Sequence, residues 1–244
     1  LPVSAPLSRT VIAYLCSGTP VLPDLTALWL TAQLALATTL GLLLLGTPLA
    51  WWLARTQSRT KPVIEAVTAL PLVLPPTVLG FYLLLLLSPD STLGGAWIAL
   101  TGETLTFAFS GLVIASMLYS LPFMVQPLQS AFESVGDAPM EAAASLGASP
   151  AQAFFAVMAP LAGRGFITAS VLTFAHTLGE FGVVLMVGGN IPGVTRVISI
   201  EIYESVETLQ YAQAHSLSAI LLVISFSVLL VVYALNRRYP IRVG

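Results

Sequence analysis

Two ionisable side chains, His176 and Glu180, stand four residues apart in an otherwise apolar stretch, and at that spacing they share one helical face with Thr173 and Thr177. As metal ligands they are two where a site needs three or four. As a proton relay they would drive a secondary carrier. As the base and acid of an enzyme they lack a third positioned group, and the chain carries no nucleophile motif. Bracing between helices, as glue or as support for a gate, fits them best. The rest of the sequence offers little other chemistry. There is no G-x4-G-K-[ST] phosphate loop, and the sole lysine, Lys61, has no such context. Cys16 is the only cysteine, which excludes an intrachain disulfide and a cysteine-based metal site, and it reads as a small buried hydrophobe.

The elements that must position these groups are set by composition. Hydrophobic residues make up 57% of the 244 and charged residues 8%, with a mean hydropathy of +0.91; a soluble domain carries about 25% charged residues. The net charge of −2 gives no sign of a nucleic-acid partner. The apolar residues fall in blocks long enough to cross a bilayer core, which needs about 20 helical residues. Five are visible, at about 25–54, 63–87, 105–125, 166–187 and 217–235. Helices are required because unpaired backbone cannot face lipid, and barrel-strand alternation is absent. The expectation is an all-α polytopic membrane protein. An ionised carboxylate near the bilayer centre costs about 2.5–3.5 kcal/mol. Glu180 lies ~21 Å beyond Phe166 along a helix, nearer the outer face.

Orientation follows from the nine cations. With alternating spans, Arg55, Arg59, Lys61, Arg164, Arg237, Arg238 and Arg242 fall on one side, and only Arg9 and Arg196 on the other. The C-terminus and the 126–165 loop are therefore expected in the cytoplasm and residue 1 outside. The chain begins at Leu1 with no recognisable signal peptide. Either a sixth span precedes Leu1 or the protein has five spans and an outer N-terminus; the missing Met and the topology favour the former. The expected organisation is an outer segment 1–24, a transmembrane domain 25–238 containing the cytoplasmic loop 126–165, and a cytoplasmic tail 239–244. No internal repeat and no soluble domain are visible.

The loop is the most informative stretch. Asp137-Ala138-Pro139 followed by Glu141-Ala142-Ala143 reads as a helix start, with Asp137 as the cap and an acidic first turn. Gly147 ends that helix, and Ser149-Pro150 starts another, whose apolar face is Ala153, Phe154, Phe155, Val157 and Met158. As a string, this resembles the EAA loop of ATP-binding-cassette importer permeases, EAA-x3-G-x9-I-x-L-P. Glu141, Ala142, Ala143, Gly147 and Pro160 match, Val157 stands for Ile, and Ala159 departs from the usual Leu. The proline-rich Leu70–Val78 stretch and Leu178-Gly179-Glu180-Phe181-Gly182 look like segments of molybdate and sulfate permeases. Asn190–Gly193, Thr195-Arg196 and Ile202-Tyr203 look more like the molybdate/tungstate branch. The resemblance covers about residues 25–238.

What the resemblance implies is a type I importer transmembrane-domain fold in a bacterial or archaeal cytoplasmic membrane. The chain would be a non-catalytic subunit importing molybdate or tungstate, with sulfate or thiosulfate as the alternative and a proton-coupled carrier further off. Glu141, Ala142, Ala143, Gly147 and Pro160 would form the coupling segment docking on a dimeric cytoplasmic ATPase. That partner, not this chain, would bind ATP and Mg. A second permease copy, as a homodimer, and a molybdate-binding protein outside would complete the assembly. Prolines bend spans, so Pro75 and Pro76, with Thr77, Thr173, Thr177 and Glu180, are the candidate pathway or gate residues. No Lys or Arg occurs from Pro62 to Gly163, so a dianion meets no fixed positive charge there. Neutral donors, with Ser116 and Ser120 among them, would guide it weakly, as passage requires. Arg196, Glu201 and Glu204 are the candidate docking residues for the binding protein.

Overall fold

The computed structural model describes residues 25–238, so the segments 1–24 and 239–244, with Arg9, Cys16 and Arg242, lie outside the described residues. The chain is helical from one described end to the other, with no strand among the described residues. Helix α1 (Leu25–Arg55) runs ~46 Å. A five-residue turn leads to α2 (Lys61–Val73). The following Leu74-Pro75-Pro76 explains the next break: a residue before proline is pushed off the helical region. Leu74 and Pro75 are both extended, with ψ of 137° and 134°. Helix α3 (Pro76–Leu87) then starts with proline at its first position, bent 115° from α2. The short α4 (Thr92–Thr101) is capped by Ser91, whose Oγ accepts from the Gly94 N–H at 2.8 Å.

Helix α5 (Phe109–Val135) carries Pro122 and Pro127. Beyond it lie α6 (Ala138–Ser145) and α7 (Pro150–Leu161), the latter π-helical over Phe154–Met158. Helix α8 (Gly163–Leu178) is bent 74° from α7. Then come α9 (Gly182–Gly188), α10 (Ile198–Glu207) and α11 (Tyr211–Arg238). Three helices are long and apolar enough to cross a membrane, and the bent pairs α2–α3 and α7–α8 bring the number to five.

The spans differ from the expected blocks in ways that chain chemistry explains. The second is broken at its prolines. The third starts at Phe109 and continues to Val135, so residues 126–135 of the expected loop are helix: Pro127 is tolerated, and only Gly136, at φ +71°, stops the chain. The fourth is interrupted at Gly179–Phe181.

Helices α1 and α5 form the spine, and α8 lies against both. Their shared core holds Leu42, Leu53, Met124, Leu128 and Phe132. The crossing of α5 and α8 is close because residue 165 is glycine: a methyl group there would collide with Ala131 Cβ. Ion pairs fix the sidedness. Arg55 meets Asp137 at 2.6 Å, and Lys61 meets Glu133 at 3.6 Å, which gathers the end of α1, the start of α2, the end of α5 and α6 on one face. At the other end of α1, Thr31 Oγ1 accepts from the Ile198 N–H at 2.8 Å and anchors the start of α10. The first face gathers Arg55, Arg59 and Lys61, the cations on which the expected cytoplasmic orientation rests.

Candidate functional site

The break before α3 and the break between α8 and α9 come together, and a cavity of about 520 Å³ opens between them. Pro76 and Thr77 of α3, Tyr119 of α5, His176 of α8, and Glu180 and Phe181 of the second break line it. Helix α3 packs on α9 at the closest distance glycine permits. A Cβ on Gly182 would stand 2.8 Å from Pro76 Cβ, and one on Gly80 would stand 2.8 Å from Met186 Cβ.

Behind the cavity runs a polar seam between α5 and α8. Ser120 Oγ lies 2.9 Å from His176 Nδ1 and 3.1 Å from Thr177 Oγ1, and Thr177 donates to the Thr173 carbonyl at 3.0 Å. The His176 ring stacks on Phe123 at 4.0 Å and is tilted against Tyr119 at 4.8 Å, so packing and hydrogen bonding together fix its orientation. His176 thereby ties α8 to α5. Glu180 differs. It is 3% exposed, its carbonyl accepts from Ser199 Oγ at 2.5 Å, and neither carboxylate oxygen has a partner. The hydroxyls of Ser116 and Thr173 are also buried without a partner. No group of three metal-ligating residues exists among the described residues. The wall thus offers two hydroxyls, three rings, a helix start and the Glu180 carboxyl, with no Lys or Arg among the described lining residues.

Of the candidate pathway residues, Pro76, Thr77 and Glu180 line the cavity, and Pro75 makes the break itself. Thr173 and Thr177 are buried behind the cavity, and Thr177 reaches Ser120 of α5. Tyr119 and Phe181 were not expected there. The signal for Tyr119 was available: Ser116, Tyr119, Ser120 and Phe123 recur at helical spacing along one face of α5.

At the Arg55–Asp137 end, Glu141 and Ala142 are exposed and Ala143 half-buried on α6. Asp137 stands at the N-cap of α6 as expected, but its side chain makes no cap hydrogen bond and is drawn instead to Arg55. Gly147 closes the helix at φ +86°. Its N–H bonds the Ala144 carbonyl at 2.9 Å, and the Ala148 N–H reaches Ala143 at 3.1 Å, which is the Schellman arrangement. Ser149 and Gln152 form a reciprocal capping box at the start of α7.

Met140, Ala153 and Met158 bury this segment against α1 and α5, and Trp51, Phe132, Phe154 and Phe166 interlock edge-on. Of the expected apolar face, Phe155 turns away and is 74% exposed. Leu146 is 90% exposed, and Pro160 is exposed as well. The segment is thus clamped to the spans on one side and open on the other.

At the opposite end, Arg196, Glu201 and Glu204 form a knot. The guanidinium lies 3.3 Å from Glu201 and 3.0 Å from Glu204, and it donates through Nε to Asn190 at 2.6 Å. Gln213 of α11 donates to Glu201, itself buried, at 3.1 Å. These charges are engaged mainly with one another.

Residues 46–240 match the family model of the binding-protein-dependent transport system inner membrane component. A molybdenum transport system permease protein, ModB, of Azotobacter vinelandii is 56% identical over 214 residues, 88% of this chain and 95% of that protein. A probable sulfate transport system permease protein, cysT, of Zygnema circumcarinatum is 32% identical over 240 residues, 95% of this chain and 81% of that one. Among solved structures, a bacterial alginate ABC transporter, crystallised with its alginate pentasaccharide-bound periplasmic protein, has a chain that superposes with a TM-score of 0.70. It is 17% identical and covers 95% of this chain and 83% of its own, a likeness of fold alone.

Proposed function

This chain belongs to the family of binding-protein-dependent transport inner-membrane components, and from that premise we propose that it is the permease subunit of an ATP-driven importer of molybdate or tungstate. It is a multi-pass inner-membrane protein. The observation that carries the substrate is the 56% identity to a molybdenum permease across 88% of the chain, against 32% to a sulfate permease.

In this reading the energy enters through the cytoplasmic segment. A separate ATPase dimer, which binds ATP and Mg, docks on Glu141–Gly147 and the open face of α7. The clamp of Trp51, Phe132 and Phe154 makes the segment move with α1 and α5 rather than independently of them. The spans then rock between outward and inward openings, and the breaks at Leu74-Pro75 and Gly179–Phe181 supply hinges at the cavity. A second copy supplies the other half of the pathway. A binding protein delivers the oxyanion at the outer face beside the Arg196 knot, whose acceptors hold α10 in place. Selectivity lies mainly with that protein, because the cavity walls present no cation.

The test is ATP hydrolysis by the purified permease–ATPase assembly in lipid nanodiscs. Binding protein loaded with molybdate should raise the rate several-fold above the unloaded protein. Equal rates with loaded, unloaded and absent binding protein would remove the reading.

A further inference from the structure

Glu180 presents a conflict. Its side chain is 3% exposed and lines the cavity, and neither oxygen has a hydrogen-bond partner. An ionised carboxylate there would be buried without compensation, and it would repel the dianion that the proposed function sends past it.

Among the described residues, no Lys or Arg lines the cavity beside it. The cavity wall around it is Tyr119 of α5, His176 of α8, Thr77 of α3 and Gly182 of α9; Ser116 of α5 lies beside the carboxyl, and Ser199 of α10 holds the backbone carbonyl. Tyr119 and His176 are the titratable groups of that set. His176 is engaged by Ser120 and the Phe123 ring. The cation of the outer loop, Arg196, is taken by Glu201 and Glu204.

We propose that Glu180 works as the neutral carboxylic acid, and that its hydroxyl is a hydrogen-bond donor to the oxyanion crossing the break between α8 and α9. The ligand's identity rests on the permease reading; the neutral state does not. A carboxylic O–H to an anionic oxygen makes a short, strong bond. A wall that otherwise offers hydroxyls thereby gains a further donor without gaining a charge that would trap the anion. The Ser116 hydroxyl, within reach of the Glu180 carboxyl and with no other partner, adds a second donor.

The experiment compares Glu180→Gln, Glu180→Asp and Glu180→Ala in proteoliposomes holding permease and ATPase, with binding protein and labelled molybdate outside. Glutamine keeps a neutral donor at nearly the same reach. Glu180→Gln should therefore retain uptake within about threefold, and fall less than the wild type as the medium is made alkaline. Glu180→Ala should lose at least about tenfold, the effect of one hydrogen bond to a charged group, and Glu180→Asp should lose a similar amount because its donor is withdrawn. Uptake abolished by Gln as completely as by Ala overturns the proposal, as does full uptake by Ala.

Infrared difference spectra of the permease alone, wild type minus Glu180→Gln, should show the carbonyl band of a protonated carboxyl. Its absence at neutral pH overturns the neutral state whatever the substrate. A wild-type assembly that shows the band and moves no oxyanion would instead overturn the permease reading.

Discussion

Gly182 faces Pro76 so closely that a methyl group on it would stand 2.8 Å from the proline's Cβ. The proline is held by its ring and by the start of α3 and cannot swing aside, so the contact sets how near the two broken spans approach. Gly182→Ala should cost about 1–3 kcal/mol by overpacking and widen the cavity. Thermal unfolding in detergent and uptake in vesicles check both, and a variant with wild-type values in each would show that the breaks are not held against one another here.

Gly147 restricts the chain by conformation, not by space. Its φ is +86°, and nothing lies within 4 Å of where a side chain would begin. Bulk, which the spacing of the motif suggests as the hazard, is therefore secondary. Gly147→Ala and Gly147→Leu should impair coupling alike, each forcing about 1–2 kcal/mol of left-handed strain, and Gly147→Asn should be milder. Retention of the partner ATPase through purification is the measurement. A leucine variant far worse than alanine would put the cause in a docked partner's surface instead.

Two residues near the end of α1 should differ sharply in weight. Trp51 interlocks with Phe132 and Phe154 at centroid distances of 5.2 Å, and Trp51→Ala should cost about 3 kcal/mol and free α7. Asp137 pairs with Arg55 at 2.6 Å, but its side chain is 61% exposed. Asp137→Asn should change stability by less than about 1 kcal/mol. Unfolding temperatures of the two variants rank them; a larger loss from Asp137→Asn would mean that the ion pair, not the rings, holds the segment.

The knot at the outer face is best tested as a pair. Arg196→Ala leaves buried Glu201 with only Gln213 and should cost roughly 1–3 kcal/mol. Adding Glu201→Gln removes the stranded charge and should recover much of the loss. A double variant no better than the single would show that Glu201 was never the residue left uncompensated.

The spans and the cytoplasmic segment were legible because each has a local cause. Apolar length marks a crossing, Pro75-Pro76 marks a break, and Glu141 to Gly147 fixes a helix and its stop within seven residues. Asp137 was placed correctly at the start of α6, but the use of its side chain was not legible, because its ion-pair partner Arg55 lies 82 positions earlier. The cavity was half legible. Thr77 and Glu180 could be named from their types, but that α3 and α9 cross at Pro76 and Gly182, bringing Tyr119 to the same wall, depends on packing between segments a hundred residues apart. The Arg196 knot was hidden for the same reason: charges in a loop read as available to a partner until their neighbours are seen to use them.

The central claim is that this chain passes molybdate by the work of a separate ATPase. It is met most directly by labelled molybdate uptake into proteoliposomes holding permease and ATPase, with ATP inside and loaded binding protein outside. Uptake should require both, persist when the proton gradient is collapsed, and be competed by tungstate more strongly than by sulfate. Uptake that needs no ATPase and stops with the proton gradient, or that sulfate alone displaces, would contradict the account.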